Sequence, residues 1–88
     1  MSILEYGTRV SITDCDRHDR AFFPTAVVLV GQSVNEEQTR YRAIFEGVDG
    51  SLKIFNLYTD EIETAVGKLS ERETARLYQH ARGQWGGL

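Results

Sequence analysis

Cysteine occurs once, as Cys15, so no disulfide can form within the chain. A lone thiol suits a reducing cytoplasm, and a cytoplasmic location is the expectation. Proline occurs once, as Pro24, and tryptophan once, as Trp85. Repeats and low-complexity segments are absent, which excludes a Pro-rich linker or a solenoid. No apolar run approaches the roughly 18 residues that span a bilayer, so no membrane partner is expected. The opening MSILEYGTRV lacks the basic-then-apolar order of a secretory leader. Basic charge is short: 10 Lys and Arg stand against 13 Asp and Glu, a net charge of −3. That balance disfavours a nucleic-acid partner, because phosphate binding needs a basic face. GxSxG, HExxH and Gly-rich phosphate loops are all missing, so no cofactor is called for.

What is present reads as one small domain. The 88 residues are 41% apolar and 26% charged, an ordinary globular balance. A chain of this length has room for a single modest core, so residues 1–88 form one unit. Thr8-Arg9-Val10-Ser11-Ile12-Thr13 alternates apolar and polar, the mark of a half-buried strand. Asp14 to Arg20 is polar enough for a solvated loop. Ala26 to Val30 is continuously apolar and β-branched, a strand covered on both faces. In Thr39 to Glu46, Tyr41, Ala43 and Phe45 share one face, and Arg40, Arg42, Ile44 and Glu46 the other. Gly47-Val48-Asp49-Gly50 is a tight-turn signal, so this strand pairs antiparallel with Ser51 to Leu57.

Beyond residue 58 the period changes. Tyr58 to Ile62 fits one helical turn. Residues 59–69 then read either as that turn plus a short strand over Glu63 to Val66, or as one helix. Ser70-x-x-Glu73 is a capping box that opens a helix over 70–82. Thr74, Leu77, Tyr78, Ala81 and Trp85 recur at helical spacing on one stripe. Gly83 is the expected stop, with 83–88 a loose tail.

The sum is a mainly-β (β+α) fold: a small antiparallel barrel over 6–66 with a C-terminal helix packed on it. Strand Thr8 to Thr13, the polar stretch 14–20, the hairpin 47–50 and the turn 58–62 together resemble the SH3-like small barrel. The chain is also similar in length and strand order to the plasmid-borne type II dihydrofolate reductases. Their Val-Gln-Ile-Tyr strand corresponds here to Leu52-Lys53-Ile54-Phe55, which lacks both the amide and the phenol, so the activity does not carry over. The helix is expected to cover the outer face of Ala26 to Val30.

Candidate functional residues are few. Asp14, Asp16 and His18 are potential metal ligands, but Asp19 stands where a calcium loop needs Gly, and Arg17 and Arg20 oppose a cation. No metal is expected. Cys15 lies between two carboxylates, which raise a thiol pKa rather than activate it. Arg40 and Arg42, with Lys53 across the hairpin, form a cationic group suited to phosphate. Phe22 and Phe23 beside Pro24, with Trp85, form an apolar patch suited to self-association. Eight of the basic residues are Arg, as in GC-rich bacterial genomes. The function expected is a non-catalytic protein-interaction module in a bacterial cytoplasm, of the kind mobile elements carry, acting as a homo-oligomer, with a dimer favoured. A ligand site or small enzyme formed between subunits, and a nucleic-acid-binding barrel, are the alternatives.

Overall fold

A computed structural model of the chain describes residues 3–13 and 18–84. Among the described residues there are five strands: β1 (Thr8–Ile12), β2 (Thr25–Ser33), β3 (Thr39–Glu46), β4 (Leu52–Tyr58) and β5 (Ile62–Lys68). A one-turn 3₁₀ helix, Thr59–Glu61, joins β4 to β5, and helix α1 (Glu71–Gln84) follows. All neighbours pair antiparallel in the order β4-β3-β2-β1-β5. The mainly-β fold with a C-terminal helix is therefore observed, and β5 settles 59–69 as a turn plus a strand. Closure is not observed: β4 and β5 remain the two edges of one sheet. Yet only the three residues of the 3₁₀ turn connect those opposite edges. The sheet must curl strongly for so short a link to reach, with the usual strand twist supplying the curl.

Alternation then builds two cores. The inner face gathers Val10, Ile12, Ala26, Val28, Tyr41, Ala43, Phe45 and Leu57, inside the curl. The outer face presents Ile44, Leu52 and Ile54, which Ala81, Leu77 and Tyr78 of α1 cover. The helix lies over β4 and β3. The expected cover on β2 is therefore only partial: Leu29 meets the helical cluster, but Val30 stays 60% exposed. A bulge between Val28 and Val30 shifts the phase of β2 at that point. The broader apolar platform lies on the neighbouring strands, and the helix follows it.

The capping box forms as the spacing predicts. The Glu73 N–H donates to Ser70 Oγ at 3.1 Å, and the Ser70 N–H donates to Glu73 Oε1 at 3.1 Å. The helix does not stop at Gly83. It continues to Gln84, whose Oε1 accepts the Leu52 N–H at 2.9 Å and holds the last turn on β4. At the other end of α1, Gly7 holds the entry. Its N–H donates to the Val28 carbonyl at 2.8 Å, and its carbonyl accepts the Leu69 N–H at 2.9 Å. Gly7 has φ +92°, and a Cβ there would lie 2.8 Å from Thr74 Oγ1. Only glycine fits that conformation and that approach.

Candidate functional site

The three cations proposed from the sequence do not converge. Arg40 and Arg42 project from the outer face of β3. Lys53 stands opposite Phe45, a residue of the inner core, so it lies on the other side of the sheet. Its ammonium sits 4.7, 5.2 and 5.3 Å from the ring centroids of Phe23, Phe45 and Phe55. A ring of aromatic faces around a cation is attractive in itself. Here the cation is the chain's own, so this aromatic box is filled from within.

Phe22 and Phe23 precede β2 and do not alternate as strand residues. Their N–H groups both donate to the Asp19 carbonyl, at 3.1 and 2.7 Å, in a tight turn. The rings meet edge to face at 4.7 Å, and both are half-buried. Phe23 packs on the inner core, and the Phe22 ring lies where a side chain on Gly47 would stand. The turn directs both rings inward, so neither stands fully exposed. Trp85, Asp14, Cys15 and Asp16 lie outside the described residues.

His18 is not in a solvated loop. It is 2% exposed, stacks on Phe45 at 4.8 Å and meets Phe55 edge-on at 6.0 Å. Its Nε2 is bonded to Glu61 Oε1 at 3.1 Å, and that oxygen also accepts the Tyr58 N–H at 2.9 Å. The histidine thus braces the 3₁₀ turn from inside the curl. Among the described residues no three potential ligands cluster to hold a metal. Glu61 is 43 residues from His18 in the chain, and nothing in the local pattern around either marks the pair.

The outer face divides into two parts. Near its β1 side, Arg9 and Glu46 form a two-point ion pair, Nε to Oε1 and Nη2 to Oε2, each at 2.9 Å. Hydrogen bonding to Glu46 raises the Arg9 pKa. Thr25 adds a bond to Glu46 at 3.1 Å. Beyond the helix, the surface is a register of paired positions: Gln32, Arg40 and Tyr58 in one row, Val30, Arg42 and Asn56 in the next. Arg40 Nη2 donates to Gln32 Oε1 at 3.0 Å. Neither Arg40 nor Arg42 has a carboxylate within ion-pair distance among the described residues. Two adjoining hollows run here. Tyr6, Leu29, Val30, Arg42 and Tyr78 line the first. The second lies among Gln32, Arg40, Arg42 and Asn56. Together they make a shallow groove, apolar beside α1 and cationic away from it. Asn56 was accessible to sequence reasoning, because the 47–50 turn sets it opposite Arg42. Tyr6 carried no such signal, and the helical stripe that includes Tyr78 did not show which strands it would meet.

No family model, no curated protein and no solved structure matches this chain.

Proposed function

We propose that the chain is a non-catalytic protein-interaction module, SH3-like in its strand order, that acts as a homodimer in a bacterial cytoplasm. The strand order, the tight 47–50 hairpin and the single helical turn before the last strand all support the SH3-like reading. The observation that carries the interaction role is β5. Six of its seven residues are exposed, and beyond β1 it pairs with no other strand among the described residues. A strand in water on both faces and along one edge buries little of its own, and its free N–H and C=O groups await a partner. Bulges between Arg9 and Val10 and between Ser11 and Ile12 irregularise this edge, and Glu63 and Lys68 add charge. Such devices oppose indiscriminate pairing and favour one register. Two-fold pairing of identical surfaces is the commonest solution.

Sedimentation equilibrium tests this. At about 100 μM, twice the 10.0 kDa chain mass is expected, with Val66→Glu, at a site 53% exposed on β5, shifting the protein to monomer. A 10.0 kDa species that Val66→Glu leaves unchanged ends the dimer reading.

A further inference from the structure

We infer that the groove around Arg40 and Arg42 is a binding site for an extended acidic peptide, with carboxylates two residues apart followed by an apolar residue. This rests on the reading of the chain as a protein-interaction module and names the class of partner.

Charge complementarity carries the argument. Of the other sheet cations, Arg9 has Glu46, Lys68 has Glu5, and Lys53 lies among aromatic rings. Arg40 and Arg42 have no carboxylate within ion-pair distance among the described residues, although both are exposed. Guanidinium groups offer two parallel N–H donors that match a carboxylate. Gln32 already holds Arg40 in place at 3.0 Å, which lowers the ordering cost of binding. Alternate residues on a strand share a face and lie about 6.6 Å apart. An extended peptide has the same period, so acidic side chains at its positions one and three meet the two arginines together. The axis of β3 runs on toward Ile44, which the helix covers. Peptide position five therefore reaches the Leu29, Val30 and Tyr78 end, where an apolar side chain fits. Asn56 and Gln32 supply amides beside that path.

Nucleic acid fits this surface less well. Two arginines neutralise few phosphates. Glu36, Glu37 and Asp60 are exposed near the Arg40 end, and the net charge is −3. A long polyanion runs past those charges, whereas a five-residue peptide seated toward α1 brings only its first residue to that end.

The probes are three labelled molecules read by fluorescence anisotropy: the peptides Glu-Ser-Glu-Ser-Leu and Glu-Glu-Ser-Ser-Leu, and a short oligo-thymidine. The two peptides have equal charge and differ only in spacing. The first is expected to bind at least fivefold more tightly than the second and than the oligonucleotide. Arg40→Ala and Arg42→Ala should each weaken it about tenfold, as loss of a charge-assisted contact does. Both side chains are exposed, so circular dichroism melts should match the parent. Equal binding of the two peptides, tighter oligonucleotide binding, or indifference to both substitutions overturns the site. Failure here with a dimer intact in the ultracentrifuge removes only the peptide site. A Val66→Glu-insensitive monomer that still binds the peptide removes the dimer instead.

Discussion

At the residue scale, two side chains act against the roles their chemistry first suggests. His18 reads as a loop ligand, and it is a core residue whose ring covers Phe45 and whose nitrogen fastens the 3₁₀ turn. Its Nδ1 has no hydrogen-bond partner among the described residues, so the aromatic contacts and the Glu61 bond must offset that loss. Lys53 reads as a phosphate contact, and its ammonium lies among three phenylalanine rings. The consequence is measurable. Lys53→Glu should lose about 1–2 kcal/mol, because a carboxylate meets the negative faces of the rings. Lys53→Met keeps the apolar stem and should cost less than about 1 kcal/mol. Equal melting of Lys53→Glu and the parent would show that the cation contributes nothing to the box.

The helix shows at the element scale how burial sets magnitude. Thr74 and Ala81 are fully buried, but Leu77 and Tyr78 are only half-buried. Leu77→Ala and Tyr78→Ala should therefore each cost about 1–2 kcal/mol, below the range of full core truncations. Ala81→Glu should cost more than either, since it places a charge and extra volume against Ile44, Leu52 and Ile54. Thermal melts rank the three, and an Ala81→Glu protein as stable as Leu77→Ala would refute this packing. The stripe itself was readable at a period of 3.6. Which strands it would meet was not. That depended on the bulge in β2, and a continuous apolar run such as Ala26 to Val30 does not reveal where a strand changes phase.

For the whole molecule, three exposed carboxylates contribute to the response to acid. Glu5 is held below the usual carboxylate range by its bond to Lys68, Glu73 by the Ser70 N–H, and Asp49 by its hydrogen bonds to Ser51. A lowered folded-state pKa means the folded chain binds fewer protons than the unfolded one in that range. The stabilisation is then complete above the ordinary carboxylate pKa and is lost as pH falls through the lowered values. Through these three groups the melting temperature should fall as the pH drops below about 4. Added salt should weaken the exposed Lys68–Glu5 share most. A melting temperature that rises on acidification from pH 5 to 3 would contradict these assignments.

Local pattern was enough for most of the elements. Period-two alternation marked β1 and β3, the Asp49-Gly50 turn set the β3–β4 register, and the Ser70–Glu73 box started α1. These signals are local because a strand's faces, a tight turn and a helix cap each involve residues a few positions apart. What lay beyond reach depends on distant segments meeting. The sheet's failure to close, the His18–Glu61 pair, the Lys53 box and the groove between α1 and β3 all join residues far apart in sequence. Their geometry follows from how far the sheet curls and where the helix settles. Arg40 and Arg42 illustrate both halves. Alternation placed them together on one face and the hairpin register set Asn56 beside Arg42, whereas only the packed structure brought Leu29 and Tyr78 to the same groove.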